Sequence, residues 1–205
     1  MSHDPDKLSL IPSGYFGDTS DRIFTVQNFL SEDEIELLLS MVKDPNVWLI
    51  SQYKNKYSDN NAIKKLYPKE HELLENIRNR WKKLISKFYD VEIETYNGNI
   101  CKWPVGGLQR PHADKEWNDG SPGEQNYYDI GSVVYLNDDY TGGEIYFPQH
   151  GISLKPERGS ATAFPGDLFF IHGVSEVKDT ERYAIPIFWT VTKYEPEKDQ
   201  SGNNW

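Results

Sequence analysis

Val105-Gly106-Gly107-Leu108-Gln109-Arg110-Pro111-His112-Ala113-Asp114 is the stretch on which the fold and the chemistry turn. On an extended segment, residues two apart point to one face, so His112 and Asp114 bring an imidazole and a carboxylate together. That is two thirds of a metal site. Alone, His-x-Asp is a weak pattern, and a surface turn in which Asp114 caps a backbone amide uses the same residues. Among the other histidines, His3 falls in a polar N-terminal segment, His71 on a polar helix face and His150 in a turn, and each reads as surface. His172, in Phe169-Phe170-Ile171-His172-Gly173-Val174, is the best third ligand, with a buried histidine satisfied by backbone groups as the alternative. Arg182 then opens a strongly apolar run. Such a run can carry a guanidinium into a strand-lined cavity, where its planar fork suits a carboxylate; a surface salt bridge is the competing reading. Two histidines and a carboxylate on one face of a metal leave positions open for other ligands, as iron(II) that must bind oxygen requires.

A chain of 205 residues with 37% hydrophobic content suits one domain with a substantial core. The formal net charge of -10, with no concentrated basic surface, argues against a nucleic-acid partner. Cys101 is the only cysteine, which excludes an intrachain disulfide and any multi-cysteine metal framework. The first residues lack a basic region followed by an apolar one, and no apolar run is long enough to span a bilayer. A soluble, cytoplasmic protein with no membrane contact is the expectation.

Residues 1–20, rich in Pro, Ser, Gly and Asp, read as a flexible arm, and 194–205 as a flexible tail. A single domain is expected between them, over 21–193. Residues 23–26 have strand composition, and Ser31 followed by Glu34 is a capping box that predicts a helix over about 32–42. Residues 44–61 read as loop with a possible short strand. Apolar residues at helical spacing predict a second helix over about 69–89. From 91 the pattern changes to short strands at 91–96, 100–103, 130–136, 144–147, 161–164, 168–172 and 183–191. The expected fold is α+β, with N-terminal helices packed on one sheet of a jelly-roll core at about 91–193.

Five segments occur in an order that resembles the iron(II)- and 2-oxoglutarate-dependent dioxygenases, and within them the prolyl 4-hydroxylase-like group. They are Gly106-Gly107 with Pro111-His112-Ala113-Asp114; Val134-Tyr135-Leu136-Asn137; Gly142-Gly143-Glu144-Ile145-Tyr146-Phe147-Pro148; Pro156-Glu157-Arg158-Gly159-Ser160-Ala161; and His172-Gly173-Val174-Ser175-Glu176-Val177 leading to Arg182-Tyr183. The resemblance implies a double-stranded β-helix with iron(II) held by His112, Asp114 and His172. It also implies 2-oxoglutarate anchored by Arg182 and Tyr135 with Trp103 beside it, O2 as cosubstrate, and ascorbate as a candidate reductant. The implied reaction hydroxylates an unactivated C–H bond and releases succinate and CO2. The implied substrate is peptidyl proline; a free amino acid, another peptide residue or a small metabolite is the alternative. Outside this class stand a non-oxidative metal-binding jelly roll and a binding module. Gln109, Arg110, Trp117 and Trp189 are the candidate substrate contacts, with residues 115–126 as a loop over the site mouth. The chain departs from the family's usual pattern at Trp103, where a tyrosine is usual, at Gln109, where an aromatic is common, and at Arg182, where collagen-type enzymes carry lysine.

Overall fold

One twelve-residue strand, Arg182–Lys193 (β11), joins most of the structure together. The computed structural model describes residues 9–49, 56–95 and 98–193. The strands preceding β11 are Phe24–Val26 (β1), Lys56–Tyr57 (β2), Glu92–Thr95 (β3), Cys101–Trp103 (β4), Gln109–His112 (β5), Ile130–Tyr135 (β6), Ile145–Phe147 (β7), Ile152–Leu154 (β8), Ala161–Pro165 (β9) and His172–Val174 (β10). Along one edge β11 pairs with β6 from Ala184 to Trp189. Along the other it pairs first with β4, through Arg182–Ala184, and later with β3, from Trp189 onward. Pro186 falls in the gap between those two partners, where a missing N–H breaks no ladder. The larger sheet has the order β1-β9-β6-β11-β4-β2 with β3 also on β11, and the smaller one the order β5-β10-β7-β8. Together they form a jelly-roll-like sandwich.

The helices follow from local chemistry. Helix α1 (Glu32–Met41) starts at the expected box: Ser31 Oγ accepts from Glu34 N at 3.3 Å and Glu34 Oε2 from Ser31 N at 2.9 Å. Helix α3 (Pro68–Tyr89) buries Leu74, Ile77, Trp81, Ile85 and Tyr89, a single stripe that packs on the larger sheet. Leu84, also at helical spacing in the sequence, is exposed. Between them α2 (Asn60–Leu66) has one buried residue, Ile63, too few to give a period, and is set by Asp59 accepting from Asn61 N and Ala62 N.

Two expectations are corrected. Residues 9–20 are not a loose arm: Ile11 and Phe16 are buried in the main core. Lys115 fixes this segment, its Nζ donating to Ser9 Oγ at 2.9 Å, the Ile11 carbonyl at 3.1 Å and Asp129 Oδ1 at 3.0 Å. Asp129 Oδ2 in turn accepts from Val191 N at 2.8 Å, which ties the cluster to β11. The expected strand at 168–172 is broken, because Asp167 caps a 3-10 turn over Leu168–Phe170 and extension resumes only at His172. A further strand outside the sequence expectations, Ile152–Leu154, lies at the sheet edge and is too short to show an alternation. Residues 1–8 and the tail at 194–205 lie outside the described residues.

Replacing Asp129 with Ala strands the buried Lys115 ammonium without a counter-charge. Urea denaturation should show a loss of about 3–5 kcal/mol, and a loss below about 1 kcal/mol would contradict this role for the pair.

Candidate active site

The site is built between the two sheets, where β5 and β10 lie antiparallel with His112 and His172 as direct cross-strand partners. Their rings are 4.5 Å apart between centroids. Beyond β5 the chain turns so that Asp114 N and Lys115 N both donate to the Gly166 carbonyl, at 2.9 and 3.0 Å. Asp114 Oδ1 then lies 3.6 Å from His112 Nε2 and 3.8 Å from His172 Nε2. A Cβ at Gly166 would come within 2.1 Å of the Tyr128 carbonyl, so only glycine permits this clamp. Gly131 on β6 faces the carboxylate from below: a Cβ there would be 2.3 Å from Asp114 Oδ2.

Backbone carbonyls fix the tautomers. His112 Nδ1 lies 3.0 Å from the Arg110 carbonyl and His172 Nδ1 3.1 Å from that of Phe170. A carbonyl only accepts, so each Nδ1 carries the proton and each Nε2 presents a lone pair towards Asp114. The ligand atoms of the three residues all lie within 4.8 Å of one another. His112 Nε2 is met at 3.0 Å by the Gln109 amide nitrogen. Asp114 Oδ2 is buried with no hydrogen-bond partner. Two oriented imidazoles and an orphaned carboxylate oxygen are a donor set that fits a divalent metal, iron(II) included. Burial opposes charge on both rings. For His112, Asp114 and the Arg110 carbonyl outweigh it and the pKa rises; for His172, completely enclosed and repelled by His112, the pKa falls.

A cavity of about 110 Å³ leads from the triad between the sheets, with Val133, Ile145, Phe164 and Val174 as apolar walls and Arg182 at its edge. Arg182 is 3% exposed, and no carboxylate among the described residues lies within ion-pair distance of it. Its guanidinium carbon stands 5.2 Å from the Trp103 ring centre and 5.3 Å from that of Tyr135. Arg182 Nε and the Tyr135 hydroxyl are buried without partners. Tyr57 of β2 also lines this cavity and went unnoticed in the sequence, where nothing around it marks it out. Next to it, burial pushes the Cys101 thiol up to about 11.

A second cavity, of about 500 Å³, adjoins the first and shares His112 and Asp114 with it. Gln109, Trp117, Tyr128 and Phe188 line it, and the last two stack at 4.4 Å. Trp117, 56% exposed, stands on the 115–126 loop. Arg110 is exposed and lines neither cavity, contributing its carbonyl to His112 instead. Trp189 is corrected: it is fully buried in the helix-side core, its Nε1 donating to Ser132 Oγ at 2.8 Å. The alternation of β11 carries the signal that was missed. Arg182, Ala184, Pro186 and Phe188 line the inner cavity, while Ile185, Ile187, Trp189 and Val191 join the core. Of the remaining histidines, His71 faces Glu75 on α3 and His150 meets the Phe169 carbonyl, and neither joins the triad; His3 lies outside the described residues.

Fold and site define a jelly-roll protein with a 2-His-1-carboxylate facial triad. Residues 99–190, which contain the triad and Arg182, match the family model of the 2OG-Fe(II) oxygenase superfamily. Over those residues the chain is similar to that superfamily, and the proteins it aligns with include prolyl hydroxylases. It is 29% identical over 89 residues to prolyl 3-hydroxylase 2 of Homo sapiens, covering 41% of this chain and 12% of that protein. It thus spans about an eighth of the length of that relative. It is 26% identical over 209 residues to prolyl 4-hydroxylase 1 of Arabidopsis thaliana, covering 89% of this chain and 71% of that protein. The fold is that of the viral collagen prolyl hydroxylase of Paramecium Bursaria Chlorella virus-1, with a TM-score of 0.62 at 17% identity over 85% of this chain and 98% of that one. No helix among the described residues is long and apolar enough to cross a membrane.

Two outcomes test this site. Divalent-metal affinity, measured with Mn(II) by calorimetry, should fall as pH drops through the raised His112 pKa, by about tenfold per pH unit once a proton must be displaced. An affinity flat to well below the ordinary histidine range would contradict the ligand set. Gly131→Ala should displace the Asp114 carboxylate and weaken Mn(II) binding at least about tenfold, whereas unchanged binding would remove Asp114 from the set.

Proposed function

We propose that the protein is an iron(II)- and 2-oxoglutarate-dependent hydroxylase. The observation that carries this reading is Arg182, a buried cation without a counter-ion in the cleft that contains the triad. A buried charge is costly unless paired, and a diacid that reaches the metal at one end would supply the missing anion at the other. A metal-binding protein that takes no anionic ligand would have no use for it.

His112, Asp114 and His172 would hold the iron, and Arg182 with Tyr135 would hold the distal carboxylate, with Trp103 as the wall between. With iron(II), 2-oxoglutarate and O2 bound, the centre supplies an oxidant that inserts oxygen into a C–H bond as 2-oxoglutarate becomes succinate and CO2. The chain's own residues do the placing. The Nδ1 bonds to carbonyls keep both Nε2 atoms aimed at one point. Val133, Phe164 and Val174 exclude water around the reacting centre. Ascorbate would serve as an accessory reductant.

The substrate would enter the larger cavity, between the stacked Tyr128 and Phe188 and the exposed Trp117, with Gln109 beside the triad. The reading favours a peptidyl proline, supported by the relatives' names and by flat aromatic surfaces that suit a pyrrolidine ring. A free amino acid, another peptide residue or a small metabolite is the competing substrate.

Incubation with iron(II), 2-oxoglutarate and O2 should release succinate, faster with a substrate from a panel of proline-containing peptides, and mass spectrometry should find one added oxygen on proline. Asp114→Ala should abolish both signals. Succinate release by Asp114→Ala at the wild-type rate would sink the mechanism, and added oxygen only on other residues would sink the proline assignment.

A further inference from the structure

Arg182 has a third phenol beside it that neither the cavity walls nor the sequence pattern draws attention to. Tyr140 lies on the turn after β6, 4% exposed, packed with Trp103, Val174 and Val177. Its hydroxyl, like that of Tyr135, is buried and finds no acceptor among the described residues, and both phenols stand beside the Arg182 guanidinium. Gly143 enforces the approach. A Cβ there would lie 2.7 Å from Tyr140 Cε2 and 3.2 Å from Arg182 Cδ, and its φ of +68° is one that glycine adopts freely.

These groups share a deficit. A guanidinium has only donors to offer, so it cannot take the protons of the two phenols, and no acceptor among the described residues bonds either hydroxyl. One carboxylate has lone pairs enough for all three. Burial pushes both phenols up from their usual range, with Arg182 opposing, so both remain protonated donors across the neutral range.

We propose that Tyr140 is a further binding residue for the distal carboxylate of 2-oxoglutarate, donating to it together with Arg182 and Tyr135. This rests on the 2-oxoglutarate reading above. It assigns to the turn after β6 a part in choosing the cosubstrate. A 2-oxo acid that lacks the distal carboxylate leaves three donors unmet, and Tyr140 accounts for one of them.

Tyr140→Phe keeps the ring and its packing and removes only the hydroxyl. Calorimetry on Mn(II)-loaded protein should compare 2-oxoglutarate with 2-oxopentanoate, which has no distal carboxylate. The variant should bind 2-oxoglutarate about ten- to a hundredfold more weakly, the worth of one hydrogen bond to a charged acceptor, with 2-oxopentanoate unchanged. In turnover the KM for 2-oxoglutarate should rise with kcat within about twofold of wild type. Wild-type affinity for 2-oxoglutarate in the variant, or equal weakening of both acids, overturns the proposal in favour of a packing role. Wild-type protein that binds Mn(II) but not 2-oxoglutarate overturns the parent reading as well, and that failure is recognised because it does not depend on Tyr140.

Discussion

A buried guanidinium that the fold leaves without a counter-ion is the constraint around which the site is arranged. Arg182 sits at the first position of β11, paired across the ladder with Trp103 and enclosed by the rings of Trp103 and Tyr135. No carboxylate among the described residues neutralises it. The triad has the opposite deficit, a buried carboxylate oxygen and two lone pairs with no cation. Two such unmet demands in one cleft are what a metal and a dicarboxylate satisfy together. Stability is given up at both ends for a geometry ready to bind.

The rest of the structure keeps those ends in place. Two strands of the small sheet set the imidazoles opposite one another, a Gly166 carbonyl shared by two amides fixes the turn at Asp114, and glycine at 131 leaves room for its carboxylate. Immediately after Asp114, the Lys115–Asp129 pair ties the turn to β11 and to the N-terminal segment. Residues far apart in the chain thereby share one anchored corner, next to the ligand whose position matters most.

Much of this was legible in the sequence where one local signal decided the matter. The Ser31–Glu34 box announced α1, the apolar period announced α3, and β-branched and aromatic runs announced β6 and β11. The ligands were legible because two of them are two residues apart and few histidines remained for the third. What stayed hidden depends on distant partners. The composition of residues 9–20 reads as disordered, yet Ile11 and Phe16 find a core, and Ser9 a buried ion pair, some hundred residues away. Tyr57 and Tyr140 look like any other tyrosine until the sheets bring them to Arg182. Trp189 is different: its alternation with Arg182 places it on the core side, and the sequence already contained that parity.

The most direct test of the account is whether metal and arginine grip the same molecule. Calorimetric titration of 2-oxoglutarate into the protein with and without Mn(II), in wild type and in Arg182→Met, decides it. The account predicts tight binding only in the metal-loaded wild type, weakened at least about a hundredfold by either change. Binding that is indifferent to the metal, or to the loss of the guanidinium, would contradict it.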